Sequence, residues 1–229
     1  MYRNKTIPVS YVNLRPLTRL GKPAYLAEGK INCVYTGSLF NSQVRNPEYF
    51  YRLIQNCDDR FQFHIVCNSM DGRNRSLKKK YVDGNPNIHW YDSTALDECL
   101  NLMCWADVLI NLGNRCTNQT PSKIFDYISA GRPIVNIHPL ENDTAKKYLD
   151  LYPLTLNILE QDPFDPKDSQ RFVDFCLTHY ADSVSFETVR ELYSDMTTEA
   201  VAGMFIAQIE RSWQPYDRRQ AALNRKTEE

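Results

Sequence analysis

The chain carries almost no net charge, few histidines and no long apolar run. Its formal charge is −1, with 27 basic against 28 acidic side chains, so no broad basic field exists to hold nucleic acid or an acidic membrane. No stretch approaches the roughly 18 apolar residues of a membrane-spanning helix. The opening MYRNKTIPVSYVNL lacks the apolar centre of a signal peptide. A cytoplasmic location is therefore expected, with any membrane association peripheral and through other parts. The four histidines, His64, His89, His138 and His179, stand beside no other metal-ligand residue at ligating spacing, so no protein-held metal is expected. The first apolar run is not followed by GxGxxG, and no Walker lysine motif occurs, which disfavours ordinary dinucleotide and P-loop chemistry. The seven cysteines form no CxxC pair. Most lie in apolar runs, as in INCVYTG and FHIVCNS, and read as buried reduced thiols. Cys116 falls in a polar loop with no histidine to act as its base.

What is present is an alternation of elements. Six short apolar runs read as buried strands: Ile31–Tyr35, Phe61–Cys67, Ile88–Tyr91, Ala106–Leu112, Pro133–Ile137 and Leu154–Leu159. Helical patterns fall between them at Pro47–Cys57, Thr94–Trp105, Pro121–Ala130 and Asp143–Leu151, with a shorter one near Ser76–Tyr81. Continuous apolar strands alternating with amphipathic helices indicate an α/β, Rossmann-like, doubly wound parallel sheet covered on both faces. Helical patterns then follow at Asp168–Tyr180, Phe186–Asp195 and Thr198–Trp213. The expected organisation is a linker or crossover over residues 1–30, one domain with C-terminal helices over 31–214, and a polar tail over 215–229. The basic cluster Arg73 to Lys80 reads either as a solvated surface or as a binding patch.

In such a sheet the ligand crevice opens outside the carboxyl ends of the first and fourth strands. Two polar loops leave those ends. One runs from Thr36, Gly37 and Ser38 to Arg45. The other runs from Gly113 and Asn114 through Thr117 and Asn118 to Thr120. Asn46-Pro47 and Thr120-Pro121 each read as a helix cap followed by proline, so two helix N-termini are expected to face one crevice and suit a diphosphate. On the helix after Thr120, Ile124, Phe125 and Ile128 form an apolar stripe, while Ser122, Asp126 and Ser129 share a polar face. Asp126 can grip vicinal ribose hydroxyls or merely pair with Lys123, and Lys123 can meet a phosphate or that aspartate. Tyr91 and Trp90, at the end of the third strand, can stack on a base or pack in the core.

The run TPSKIFDYISAGRPIV (Thr120 to Val135) resembles the nucleotide-sugar motif of retaining glycosyltransferases of the GT-B fold, family 4 and its relatives. VYTGSLF followed by RNPEYF is similar to the opening of that family's donor domain. The resemblance spans Ile31 to Ile137 and implies half of a GT-B fold. Of the family's two acids, the one on the donor ribose maps onto Asp126, and the one beside the transferred sugar onto Asn118, which is not acidic. Arg45 corresponds best to the base that holds the diphosphate. The resemblance implies catalytic roles for Asn118 and Lys123. Taken with the crevice loops, it gives as donor contacts Gly37, Ser38, Arg45, Tyr91, Asn114, Thr117, Thr120, Ser122 and Asp126. It implies a nucleoside-diphosphate sugar, UDP favoured, as donor, with no further cofactor and no metal. The acceptor would be a saccharide or a lipid-linked molecule, as in polysaccharide synthesis, and a separate N-terminal domain would bind it. A noncatalytic nucleotide-binding or interaction module of the same fold is the second reading, and a flavodoxin-like or epimerase-like domain the third.

Overall fold

The structure is a computed structural model that describes residues 14–92 and 94–211. Six strands form one parallel sheet: β1 (Ile31–Leu39), β2 (Phe61–Met70), β3 (Ile88–Tyr91), β4 (Val108–Leu112), β5 (Ile134–His138) and β6 (Thr155–Leu159). Their order is β3-β2-β1-β4-β5-β6. The helices are α1 (Glu48–Ile54), α2 (Gly72–Tyr81), α3 (Leu96–Trp105), α4 (Lys123–Ala130), α5 (Lys146–Leu149), α6 (Pro166–His179) and α7 (Phe186–Leu192). Every strand, and the doubly wound order, agrees with the expected pattern. The boundaries shift most where the expected loop after Tyr35 continues as strand to Leu39, with an irregularity between Gly37 and Leu39. The helix expected over Asp143–Leu151 shrinks to the four residues of α5.

Strand side chains alternate between faces, and here the two faces differ in chemistry. One is dry. Cys33, Phe61, Phe63, Ile65, Val108, Ile110, Val135 and Ile158 meet Phe50 and Leu53 of α1 and Phe172 and Cys176 of α6. The other face places Asn32, Thr36, His64, Asn111 and Asn136 almost fully buried, so each needs a partner. Asn111 donates to Asn136 (2.7 Å), Asn136 to Asn157 (2.9 Å), and Asn157 to Asp150 (3.0 Å), an amide ladder across β4, β5 and β6. The His64 ring bridges Asn32 Oδ1 and the Tyr91 hydroxyl, both at 3.1 Å. Because Asn32 Oδ1 can only accept, Nε2 carries the proton and Nδ1 accepts from Tyr91. Burial, then the neighbouring His89, pulls the His64 pKa from its ordinary 6.5 to about 4.

Gly131 ends α4 in the left-handed region (φ 71°). A side chain is excluded there twice over, since a Cβ would lie 2.2 Å from Val184 O.

The described residues divide into two compact units, the sheet unit from Pro16 to Leu192 and a smaller one that holds residues 14–15 with 193–211. In the smaller unit Leu14 bridges Thr197 in parallel. The Thr197 hydroxyl accepts from Ala200 N (3.2 Å), capping a helical run over 198–211. That run exposes Met204, Phe205, Ile206 and Ile209. The sequence-expected tail over 215–229 and the end of the helix expected to reach Trp213 lie outside the described residues. Among the described residues, no helix is long and apolar enough to cross a membrane.

Candidate functional site

The crevice arises because β1 and β4 part company. β1 pairs with β2 along most of its length, from Ile31↔Phe61 to Gly37↔Cys67. With β4 it pairs only at Cys33↔Val108 and Val34↔Leu109. Beyond Val34 the backbone of β1 would lack partners on that side, and buried backbone polar groups require them. Two side chains of α4 take the place of β4. Thr36 N donates to the Tyr127 hydroxyl (3.0 Å). The Lys123 ammonium donates to Thr36 O (2.7 Å). Lys123 and Tyr127 stand four residues apart, on one face of the helix, so a single element supplies both contacts.

The loops leaving β1 and β4 are tied together. Arg45 donates from Nη1 to Ser38 O (3.1 Å) and from Nη2 to Asn114 Oδ1 (2.6 Å). Arg115 N donates to Val44 O (2.7 Å). Asn114 donates in turn to Gln119 O (3.0 Å), closing its own loop. The guanidinium is thus held in one orientation, with its Nε buried and unpartnered.

Two cations therefore converge on the split. The Lys123 ammonium lies 3.8 Å from the centre of the Tyr35 ring, a cation–π contact. Among the described residues no carboxylate forms an ion pair with Lys123 or Arg45. Burial, then the Arg45 guanidinium, drives the Lys123 pKa well below the ordinary lysine value. Burial raises the Tyr35 phenol to about 12, with Arg45 opposing the rise. Gly37 (φ 147°) keeps the space open: a Cβ there would sit 3.0 Å from Lys123 Nζ and 3.1 Å from the Tyr35 hydroxyl. An arrangement of two fixed, unneutralised cations beside a bare backbone is suited to an anion with several oxygens.

The sequence-predicted residues separate into three groups. Gly37, Ser38, Arg45, Asn114 and Lys123 come together around the split. Asn114 acts there as a brace, both ends of its amide being engaged. Thr117 and Asn118 are exposed on the loop, Thr120 is half-buried, and Ser122 is exposed at the start of α4. Asp126 is half-buried in the first turn of α4. Tyr91 stands apart. Its hydroxyl is held by His64, its ring packs 5.0 Å from Tyr25, and it lines a separate cavity of about 330 Å³ with Val66 and Glu98.

One expectation is corrected. Two helix N-termini were to share the crevice, but α1 has only seven residues, and Asn46 Oδ1 already accepts from Glu48 N (2.9 Å). Glu48 adds a negative charge to that first turn, so this end opposes an anion. At α4 the tight first turn starts at Pro121, whose carbonyl accepts from Ile124 N (3.2 Å), and Ser122 makes no side-chain cap. Sequence reasoning placed Thr36 only as the start of a crevice loop and missed Tyr35 and Tyr127 as parts of the site. The one available signal was Tyr127, at i+4 from Lys123.

This site sits at the reversal of strand order, where an open doubly wound sheet takes its ligand. The architecture is that of a Rossmann-like half of the GT-B fold. Solved structures of that fold superpose on most of the chain. The GtfA/B complex matches with a TM-score of 0.57 at 10% identity, over 87% of this chain and 39% of that one. The pneumococcal O-GlcNAc transferase GtfA, in complex with UDP and GlcNAc, matches at 0.54 and 11% identity, over 90% and 39%. TarM matches at 0.53 and 14% identity, over 86% and 37%. The chain spans about two fifths of the length of these structures. No family model and no curated protein matches the sequence. At such identities the likeness establishes the fold.

Proposed function

We propose that the chain is the donor-binding part of a glycosyltransferase. The split between β1 and β4 takes a nucleoside-diphosphate sugar, with Lys123 and Arg45 meeting the diphosphate beside Gly37 and Ser38. Asp126 holds the ribose, and the loop carrying Thr117, Asn118, Thr120 and Ser122 lies towards the transferred sugar. UDP is the favoured carrier, as in the pneumococcal neighbour solved with UDP and GlcNAc. The reaction is transfer of a hexose with retention, of the family 4 type, to a saccharide or lipid-linked acceptor held by a separate domain. The charge that grows on the departing diphosphate is met by fixed cations and needs no metal in this reading.

The observation that carries the proposal is the pair of cations without carboxylate partners at the strand-order reversal. The second reading, a noncatalytic nucleotide-binding module, is favoured by the exposed, non-acidic Asn118. Calorimetric titration of the full chain with UDP, GDP and their sugars tests both. UDP or UDP-sugar binding that is lost on replacing Lys123 or Arg45 supports the donor site. No heat with any of these ligands at millimolar concentration overturns it. Binding without transfer, once an acceptor domain is supplied, selects the module.

A further inference from the structure

At the opposite end of the sheet the amino ends of β1, β4 and β5 border a cavity of about 500 Å³. Five basic side chains line it (Arg19, Lys22, Lys30, Arg60 and Arg132) against one carboxylate, Asp107. Asp107 is already used: its Oδ2 accepts from Asn32 N (2.7 Å) and Nδ2 (3.1 Å). Two of the cations are also used, Lys30 with Asp59 (3.2 Å) and Arg60 with Asp58 (2.8 Å). Arg19, Lys22 and Arg132 have no carboxylate in ion-pair reach among the described residues.

The two arginines are nevertheless fixed. Arg132 Nε donates to Cys104 O (3.0 Å), which leaves the terminal N–H groups of its fork unspent. The guanidinium carbon of Arg19 lies over Trp105, 3.5 Å from the ring centre. Trp105 is anchored by its own indole N–H to Leu20 O (2.8 Å). Burial, and next the charge of Arg19, press the Arg132 pKa below its ordinary value. Like charges held this close gain from an anion placed between them.

We propose that this cavity is a second anion site, for a phosphate ester whose phosphate lies between Arg19 and Arg132. The volume exceeds what a bare phosphate fills, and Leu177 and Tyr180 of the wall offer apolar surface to an organic body. The five residue steps of β1 from Ile31 to Thr36 separate it from the donor crevice by roughly 17 Å. It therefore stands or falls independently of the donor reading.

The test titrates inorganic pyrophosphate, then glucose 1-phosphate, into the full-length protein and follows the Trp105 indole N–H resonance by NMR. The site requires a saturable shift of that resonance with both probes. The shift must weaken at least tenfold in affinity in an Arg19→Gln, Arg132→Gln double variant with native circular dichroism, and persist in Lys123→Met. Lys22→Gln, at an exposed position, supplies a milder loss should the double variant not fold. A resonance that both probes leave unmoved at millimolar concentration overturns the site. So does a shift that neither the double variant nor Lys22→Gln weakens, or one that disappears in Lys123→Met.

Discussion

Replacing Lys123 by methionine separates two jobs of one ammonium group. For the fold, the variant loses the 2.7 Å bond to Thr36 O and the contact with the Tyr35 ring, each worth about 0.5–2 kcal/mol. It also removes a desolvated cation facing Arg45, whose burial disfavours the charged form, as the lowered Lys123 pKa indicates. Thr36 O keeps the Tyr127 hydroxyl at 3.5 Å. The two effects offset, so unfolding free energy should stay within about 1 kcal/mol of wild type, measured by urea denaturation. For binding nothing offsets. A charge-assisted bond to a diphosphate contributes about 1.5–3 kcal/mol, so the Kd for UDP should rise about 10- to 150-fold, measured by calorimetry. A further signature follows from the depressed pKa. An arriving anion stabilises the ammonium, so UDP binding on the alkaline side takes up a proton, seen as heats that depend on the ionisation enthalpy of the buffer. A stable variant that binds UDP as wild type does would refute the assignment of Lys123 to the diphosphate. A variant that unfolds would show that its hold on Thr36 outweighs the relief of the buried charge.

Two further outcomes concern the framework. His64 is neutral in the fold, with a pKa of about 4 against its ordinary 6.5, so the unfolded chain takes up the proton first as pH falls. The stability this supplies is complete above pH 6.5 and is lost towards pH 4, by about 2 kcal/mol at pH 5. Urea midpoints at pH 7 and pH 5 should fall further for wild type than for His64→Gln, and parallel losses would dismiss the effect. Gly131→Ala combines a left-handed backbone, worth about 1–2 kcal/mol, with a Cβ placed 2.2 Å from Val184 O. A total loss above about 3 kcal/mol is expected by urea denaturation, and a change under about 1 kcal/mol would mean that the chain near Val184 yields freely.

The donor crevice was only partly legible. Gly37, Arg45 and Lys123 could be marked from loop chemistry and motif spacing, and the structure brings all three to the strand split. The expectation for Asn46-Pro47 failed because a cap-and-proline signature says that a helix starts, not whether its first turn is vacant. Here Asn46 takes the N–H of Glu48, and Glu48 charges the turn. Tyr91 was placed near a base because it ends a strand at the correct edge of the sheet. Its engagement by His64 and Tyr25 depends on partners distant in sequence. The cationic cavity at the amino ends was invisible for the same reason, since Arg19, Trp105 and Arg132 belong to three separate stretches.

What the chain's sequence determines by itself is local: which runs are strands, that they lie parallel under helices, and where Gly131 stops α4. These follow from periodicity and from one residue's conformational freedom, neither of which needs a distant partner. Only the tertiary structure decides that β1 and β4 separate after Val34 and that Lys123 and Tyr127 complete the abandoned edge. That outcome is a competition for the backbone of Thr36 between a strand and a helix far along the chain. It is settled by packing, which no spacing of residues records.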